Sequence, residues 1–323
     1  MPENRTVALD IGGTRIKMAI VDNGCIVKTA SIPAHSDNNL RDRLADIEAA
    51  LREMANDDFS VFMGMGIAMP CLVDSRRKTA TEIYKKFEDA TSLDLQTWVR
   101  ERFGLPIIME QDSKAALLGE VHFGVAKGYQ DVLLIIMGTG VGTAVMLGGE
   151  LLDSRNHSAG ALGSHIIIEK NGRKCSCNSQ GCLEAYTSGW ALPELIREHT
   201  NFQHSLLAKA NPLDFFQLEK AIRKNDAVAL DVMDIVTRSM RAGIISMIHA
   251  YDPEAVILSG GPLNMGALFT KPLLDGIHSE IWGKDRRVEF FVAQHPDESV
   301  ILGLHYLMSR TMMEVEEKKT KYA

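Results

Sequence analysis

The chain has 323 residues, of which 46% are hydrophobic and 24% are charged, a composition that can supply two hydrophobic cores. The formal net charge of −7 argues against nucleic acid as a partner, and no run approaches the roughly 18 apolar residues of a membrane helix. The N-terminal segment lacks the apolar core of a signal peptide, so we expect a cytoplasmic protein without a membrane partner.

The first predicted strand covers residues 7–9 and runs into a turn with two successive glycines, Gly12 and Gly13. Such a turn reverses the backbone tightly and leaves N–H groups free to bind phosphate oxygens. Asp10 can hold Mg²⁺ directly or through water, while Thr14 adds a hydroxyl and Lys17 a positive charge. The simpler interpretation is a hairpin turn without a ligand.

The following segments alternate helices with strands, which is typical of α/β layers. Residues 40–54 predict an amphipathic helix, residues 60–69 a strand, residues 94–103 a helix and residues 106–110 a short strand. Asp112 then lies where it can cap a helix that extends to about residue 122. The lysine pair at residues 85–86 is interpreted as a solvated face.

A second strand pair is predicted over residues 131–147, and its turn contains Gly138, Thr139, Gly140 and Gly142. Taken alone, this turn is as easily structural as phosphate-binding. Neither glycine turn has the Gly-Lys-Ser/Thr ending of a Walker loop or the spacing of a dinucleotide fingerprint. The pair therefore favours a mononucleotide kinase of another fold.

The remaining elements repeat the α/β pattern. Helices are predicted between about residues 188 and 224 and over residues 226–251, and a strand over residues 255–258 ends near the glycine pair Gly260 and Gly261. The last helix is predicted to begin at about residue 299 and to give way to a solvated, charged tail over residues 314–321.

Three of the five cysteines, Cys175, Cys177 and Cys182, fall within eight residues. In a reducing compartment this spacing indicates metal ligation before a disulfide. Zn²⁺ takes four ligands in a tetrahedron, so the three thiolates would need one partner. The alternative is a loop with three free thiols.

Taken together and in this order, the motifs resemble the ROK family of sugar kinases and related repressors, a branch of the actin, hexokinase and Hsp70 superfamily. The matching segments are residues 10–17, 66–74, 112–120, 138–142, 175–184 and 256–261. The resemblance implies an α/β fold with two ribonuclease-H-like domains and an interdomain cleft. It further implies an ATP-dependent carbohydrate kinase with catalytic Mg²⁺, structural Zn²⁺ and a homodimeric assembly.

The resemblance also predicts how the chain is divided. Residues 1–118 would form an N-terminal domain with the first glycine turn. Residues 119–323 would form a larger C-terminal domain with the second turn, the zinc-binding insertion and the dimerisation helices. We expect the last helix to pack back on the N-terminal domain. Both glycine turns would hold the ATP phosphates, with Gly260 and Gly261 beside the adenosine.

Asp112 matches the catalytic carboxylate of the family. A sugar hydroxyl is a poor nucleophile at neutral pH, so a carboxylate must accept its proton as the phosphoryl group is transferred. The resemblance places Pro70, Gln111 and Glu184 at the substrate. Gln111 stands where the family usually has Asn, and Glu184 is alternatively a plain surface carboxylate.

The chain departs from the family where Ala-Gly-Glu-x-Gly-His is expected, since residues 159–165 read Ala-Gly-Ala-Leu-Gly-Ser-His. We predict that His165 replaces the family's zinc-binding His through a one-residue insertion or a bulge in a strand, with His157 as the fallback ligand. Ala161 cannot accept a hydroxyl hydrogen bond, and a substrate held by a carboxylate there would lose about 1.5–3 kcal/mol. Ser164 is kept as a candidate substrate contact.

The predicted substrate is therefore a sugar or a sugar-like molecule other than plain glucose, such as a glycoside, an amino sugar or a cyclitol. Two alternatives stay open: a sugar-responsive regulator of the same family and a catalytically weak sugar-binding protein. A repressor needs a DNA-reading module, and the first predicted strand already begins by Thr6. The retained Asp10, Asp112 and glycine turns favour an active kinase over both.

Overall fold

The computed structural model describes residues 4–83, 86–283 and 287–321. Its strands are β1 (Arg5–Ile11), β2 (Arg15–Asp22), β3 (Cys25–Pro33), β4 (Gly64–Met69), β5 (Leu72–Asp74), β6 (Thr79–Glu82), β7 (Ile107–Gln111), β8 (Val132–Met137), β9 (Val141–Leu147), β10 (Glu150–Leu151), β11 (Ala255–Gly260) and β12 (Glu289–Val292). Its α-helices are α1 (Leu44–Ala55), α2 (Leu95–Phe103), α3 (Asp112–His122), α4 (Glu184–Thr187), α5 (Leu192–Glu198), α6 (Phe215–Ile222), α7 (Ala227–Tyr251), α8 (Ala267–Leu274) and α9 (Pro296–Lys321).

The chain divides into two compact units. Among the described residues, the first unit comprises residues 4–128, 154–158 and 294–321, and the second comprises residues 129–153 and 159–293. The predicted boundary after residue 118 falls inside α3, whereas the compact units divide after Gly128. The first unit also contains α9, so it is built from both ends of the chain.

The first unit is organised around a five-stranded sheet in the order β3-β2-β1-β4-β7. β1 pairs antiparallel with β2 and parallel with β4, and β4 pairs parallel with β7. Because β1 is central and covered on both faces, it is almost continuously buried from Thr6 to Ile11. Ile47, Leu51 and Met54 form the buried face of α1, as their helical spacing predicts.

The second unit repeats the same plan. Its sheet has the order β10-β9-β8-β11-β12, with the two pairs on one side antiparallel and the two on the other side parallel. The long helix α7 contributes Val232, Val236, Met240 and Met247 to the core beneath this sheet. Two units of equal strand order and polarity agree with the predicted pair of similar α/β domains.

Helices α3 and α9 pack closely inside the first unit. A Cβ atom built on Gly119 of α3 would lie 1.9 Å from the carbonyl oxygen of Ser299, and one built on Gly303 of α9 would lie 1.8 Å from that of Ala115. The Ser299 hydroxyl also donates a hydrogen bond to the buried Glu120 carboxylate. Only glycine permits such an approach, so this contact holds α3 firmly in the unit.

Two of the predicted helices begin directly after an Asp side chain that caps them. The Asp94 carboxylate accepts a hydrogen bond from the backbone N–H of Thr97 at 2.9 Å before α2, and Asp226 accepts one from Ala229 at 3.0 Å before α7. Free N–H groups at a helix start need such acceptors, which is why an Asp before an apolar periodic run is informative.

Two predicted element bounds were wrong. The strand expected over residues 60–69 begins only at Gly64, because residues 60–63 form a turn. The charged segment expected to follow the last helix is its continuation, since α9 extends to Lys321 with Arg310 and Glu314 paired one turn apart. Charged residues lower the hydrophobic signal of a helix without ending it. In the described part of the chain, no helix combines the length and hydropathy that would be needed to cross a bilayer.

Candidate active site

The carboxyl ends of three neighbouring strands in the first unit carry the predicted catalytic groups. In the parallel register, Asp10 of β1 lies opposite Ala68 of β4, and Met69 of β4 lies opposite Gln111 of β7. The residues that follow, Pro70 and Asp112, therefore extend from the same edge of the sheet as the first glycine turn. The carboxyl edge of parallel strands is where ligands of α/β sheets bind.

Asp10 is buried at this edge. Burial and the nearby charge of Asp112 raise the pKa of its carboxyl group, the Lys17 ammonium lowers it, and the net pKa is about 7. Lys17 also forms an ion pair with the exposed Asp297. A buried carboxylate that has no cation beside it keeps its proton to a higher pH. A bound cation would stabilise the ionised form, so such a carboxylate is suited to bind a cation.

Asp112 is the first residue of α3, and Gln111 occupies the N-cap position. The Asp112 carboxylate accepts a hydrogen bond from the backbone N–H of Ser113 at 2.6 Å. Burial raises the pKa of this carboxyl group, while that hydrogen bond and the charge of Lys86 lower it. Burial and the nearby charge of Asp112 together raise the pKa of the Cys71 thiol to about 12. A carboxylate with a raised pKa is a stronger proton acceptor than a solvated one.

The first glycine turn is a tight reversal between β1 and β2. The Gly12 N–H donates to the carbonyl oxygen of Arg15 at 3.1 Å, and a Cβ atom on Gly12 would lie 2.7 Å from that oxygen. Thr14 is exposed, and its carbonyl accepts the N–H of Ala34 at 3.0 Å. The turn thus keeps a fixed shape with an accessible hydroxyl.

Lys86 lies across this turn, a placement that the sequence did not predict. A Cβ atom on Gly13 would lie 2.8 Å from Cε and 3.0 Å from Nζ of Lys86. The other member of the predicted solvated pair, Lys85, is outside the described residues. Lys86 follows no recognisable spacing, so only the folded chain brings it to the turn.

Gln111 presents an unusual polar atom at the same edge. Its side-chain oxygen Oε1 is buried and has no hydrogen-bond partner among the described residues. Its backbone N–H donates to Glu110 Oε1 at 2.8 Å, and the second oxygen of Glu110 accepts the Ser75 hydroxyl at 2.8 Å. A buried acceptor without a donor costs free energy and is a place for a ligand hydroxyl.

In the second unit, the other glycine turn and the glycine pair lie at the ends of neighbouring parallel strands. Gly260 of β11 pairs with Met137 of β8, and the turn begins at Gly138. Gly260 has φ of 104°, and a Cβ atom there would lie 2.0 Å from the Met137 carbonyl oxygen. Around Gly261 there is open space where a Cβ atom would stand. Neither glycine therefore places a side chain over the backbone at this end of the sheet.

The Glu184 side chain is buried and hydrogen-bonded in several directions. Its Oε2 accepts the backbone N–H of Val141 at 3.1 Å, at the end of the second glycine turn. Its Oε1 accepts the Ser176 hydroxyl at 3.0 Å and the Trp190 indole N–H at 3.1 Å. The surface-carboxylate interpretation of Glu184 is therefore wrong, because the group is enclosed by donors.

Backbone hydrogen bonds also hold the second glycine turn in place. The Gly138 N–H donates to the Gly140 carbonyl at 2.9 Å, and the carbonyl oxygens of Gly138 and Thr139 accept the N–H groups of Gly189 and Trp190 at 2.9 and 3.0 Å. Gly142 lies in β9, opposite Ile136. Carbonyl oxygens that are occupied inside the unit leave the turn rigid.

A cluster of His165, Cys175, Cys177 and Cys182 can hold a metal ion. The four ligand atoms lie within 4.8 Å of one another, with 3.6 Å between Cys177 Sγ and Cys182 Sγ and 3.6 Å between Cys175 Sγ and His165 Nδ1. Tetrahedral zinc ligands at their usual bond lengths are separated by about 3.3–3.8 Å, so the donor set and its size fit Zn²⁺. Burial and the adjacent thiols raise the pKa of Cys182 to about 12, and a bound ion would displace its proton.

His165 reaches the cluster from a 3₁₀ turn. Residues 163–165 form a 3₁₀ turn, so the bulged strand, one of the two predicted routes, is wrong, while the one-residue insertion stays a prediction. The Thr143 hydroxyl accepts the Gly163 N–H at 2.9 Å and donates to the Gly160 carbonyl at 2.8 Å, which fixes the turn. Ser164 is buried within it, and Ala161 is buried nearby in the chain. The fallback ligand His157 is outside the cluster, with its Nε2 3.6 Å from Asp74.

The chain belongs to the ROK family, whose family model matches residues 6–311. It is similar to a glucokinase of Thermotoga maritima, with 29% identity over 283 residues that cover 86% of this chain and 88% of the relative. It is also similar to the xylose repressor of Bacillus subtilis, with 25% identity over 86% of this chain and 70% of the repressor. The family therefore contains both sugar kinases and regulators.

Among solved structures, the chain is similar to a ROK family glucokinase from Streptomyces griseus in complex with glucose and AMPPNP. The TM-score is 0.78 and the identity 29%, with 94% of this chain and 98% of that chain covered. The fold is therefore the two-domain α/β fold of the ROK sugar kinases, as predicted, within the actin and hexokinase group.

Proposed function

We propose that the protein is an ATP-dependent carbohydrate kinase that transfers the γ-phosphoryl group of ATP to a hydroxyl of a sugar or a sugar-like polyol. The observation that carries this proposal is the placement of Asp112 beside Asp10 at the carboxyl edge of the first sheet, next to a glycine turn. A proton acceptor and a cation-binding carboxylate at one edge are the parts that phosphoryl transfer to a hydroxyl requires.

The two glycine turns form the phosphate-binding parts in this proposal. Gly12, Gly13, Thr14 and Lys17 act from the first unit, and residues 138–142 act from the second, with Gly260 and Gly261 beside the adenosine. Asp10 would hold Mg²⁺, directly or through water, and that ion would neutralise charge on the phosphates. The open space at Gly261 supports this assignment.

Asp112 acts as the general base. Its raised pKa lets it accept the hydroxyl proton as the oxygen bonds to phosphorus, and its place at the start of α3 limits its motion. The buried Oε1 of Gln111 is an acceptor for a neighbouring hydroxyl of the substrate. Pro70, Ser164 and Glu184 complete the proposed substrate contacts, although Glu184 already accepts three hydrogen bonds inside its unit.

We propose that the substrate is not free glucose, because Ala161 and Ser164 replace the carboxylate and imidazole expected there. The cluster of three thiols and His165 would hold Zn²⁺, which would fix the segment that leads into α4 and its first residue, Glu184. The homodimer that the resemblance implies stays a prediction.

The decisive experiment measures ATP consumption against a panel of hexoses, N-acetyl amino sugars, glycosides and cyclitols. We expect turnover of at least one of these, with glucose a poorer substrate than the best of them. The variant Asp112→Asn should lose about 10²–10⁴-fold in kcat. Absence of turnover across the panel would contradict the kinase, and turnover unchanged in Asp112→Asn would contradict the assigned base.

The similarity to a repressor supports a second candidate, a sugar-responsive regulator or a catalytically weak sugar-binding protein. This candidate predicts that a sugar of the panel binds and raises the Tm without ATP consumption. A calorimetric titration of the same panel therefore separates the two functions.

A further inference from the structure

The ammonium group of Lys86 lies next to two parts of the proposed site at once. It is beside the backbone of Gly13 in the first glycine turn, since a Cβ atom there would lie 3.0 Å from Nζ. Its charge also acts on the Asp112 carboxylate and lowers the pKa that burial raises. The phosphate-binding turn and the proton acceptor thus share one cation.

The chain directly after Lys86 is well anchored. Phe87 is completely buried in the core of the first unit, and its N–H donates to the Ser36 carbonyl at 2.8 Å. Asp89 accepts the backbone N–H groups of Leu40 at 2.6 Å and of Arg41 at 3.0 Å. The backbone that carries Lys86 is therefore held by a buried neighbour and by three hydrogen bonds.

Lys17, the cation that the sequence predicts to bind the phosphates, already has a carboxylate partner. It forms an ion pair with Asp297 and lies close enough to Asp10 to lower its pKa. The positive charge of Lys17 therefore acts on Asp10, while that of Lys86 acts on Asp112. Two carboxylate and lysine pairs thus lie near one turn. Asp10 and Lys17 form the pair at the proposed metal-binding carboxylate, and Asp112 and Lys86 form the pair at the proposed proton acceptor.

We propose that Lys86 is a catalytic residue that contacts the phosphoryl group while it passes from ATP to the substrate hydroxyl. The bond between γ-phosphorus and the ADP oxygen breaks as the bond to the hydroxyl oxygen forms, and Asp112 accepts the hydroxyl proton. Lys86 keeps its own proton throughout and acts by charge and hydrogen bonding on the phosphoryl oxygens. This inference rests on the proposed kinase function.

The first test compares Lys86→Gln, Lys86→Arg and the matched control Lys127→Gln, an exposed lysine of the same unit. With the best substrate of the panel, Lys86→Gln should lower kcat by about 10²-fold while the substrate KM changes by less than about threefold. Lys86→Arg should retain part of the activity, and Lys127→Gln should equal the wild type. An unchanged kcat, or a raised substrate KM with kcat intact, would overturn the proposal.

A second measurement needs no sugar. Calorimetric titration with Mg²⁺ and AMPPNP, and separately with Mg²⁺ and ADP, reports the contact with the terminal phosphate. Lys86→Gln should weaken the binding of AMPPNP more than the binding of ADP. Equal losses of affinity for both nucleotides would contradict a contact with the transferred group. If the wild type turns over no sugar and binds neither nucleotide, the kinase function itself fails. If the wild type does both and Lys86→Gln behaves identically, only the role of Lys86 fails.

Discussion

Glu184 Oε2 lies 3.1 Å from the backbone nitrogen of Val141 and accepts its hydrogen bond. Through this contact a residue two positions after Cys182 holds the end of the second glycine turn. Its other oxygen binds Ser176, which stands between two of the thiols, and Trp190. The cluster of three thiols and His165 is therefore joined to the turn by one carboxylate.

Replacing this carboxylate with an amide should weaken the junction. In Glu184→Gln one acceptor oxygen becomes a donor and faces at least one N–H or O–H group, so we expect a loss of about 1–3 kcal/mol in unfolding free energy. Urea unfolding followed by tryptophan fluorescence measures it. Glu53→Gln, at an exposed position, serves as the control and should be neutral. Equal stability of the two variants would contradict a buried network.

The metal cluster predicts which substitutions release zinc. Cys177→Ser and His165→Ala each remove one of four ligands, and each should cost several kcal/mol of a zinc-binding free energy that totals about 10–16 kcal/mol. Elemental analysis after dialysis against a competing chelator measures the retained ion. His157→Ala should keep full zinc because His157 is outside the cluster. Full retention in His165→Ala would show that His165 is not a ligand.

Asp10 predicts a pH dependence of stability in the metal-free protein. Its folded pKa of about 7 lies above the ordinary value of 3.8, so the folded state binds more protons between these values. The stability of the wild type should therefore fall, relative to Asp10→Asn, as the pH rises from about 4 to above 7. The difference should reach at most about 4 kcal/mol.

Urea unfolding in EDTA at pH 5, 6, 7 and 8 checks this expectation. Asp37→Asn, at an exposed position, is the control for the loss of a surface carboxylate. A constant difference for Asp10→Asn would show that its pKa is not raised.

The close contact between α3 and α9 predicts that Gly→Ala in α9 destabilises the protein, which is opposite to the effect expected from helix propensity. Gly→Ala inside an exposed helix normally stabilises by up to about 1 kcal/mol. In Gly303→Ala the new methyl group would meet the Ala115 carbonyl oxygen, so we expect a loss of about 1–3 kcal/mol or more. Thermal unfolding compares it with Gly261→Ala, where the added methyl group has open space. A stabilised Gly303→Ala would contradict the close packing.

Much of this arrangement could be predicted from the sequence because the informative residues are local. A strand that ends in glycines predicts a turn, an Asp before an apolar run predicts a helix start, and three cysteines within eight residues predict a cluster. Each pattern needs only neighbouring residues. The ends of β1 and β7, the start of α7 and the convergence of the thiols were accessible in this way.

Other features depend on contacts across long stretches of chain. Lys86 meets a turn more than seventy residues earlier, and nothing in its spacing distinguishes it from a solvated lysine. The close approach of Gly119 and Ser299 is likewise invisible in either helix alone. His165 enters its cluster through a 3₁₀ turn that Thr143 supports from another strand. Such placements follow from tertiary packing, which local propensity does not encode.

The composition of the first unit has a consequence for how the protein is made. β1 and β4 leave the ribosome more than two hundred residues before α9, which covers them: Leu304 would contact a Cβ atom on Gly66, and Met308 one on Gly64. Until then the apolar face of that sheet has no lid, and it is exposed to aggregation during translation. The first unit can thus be completed only after the residues of the second unit have been synthesised.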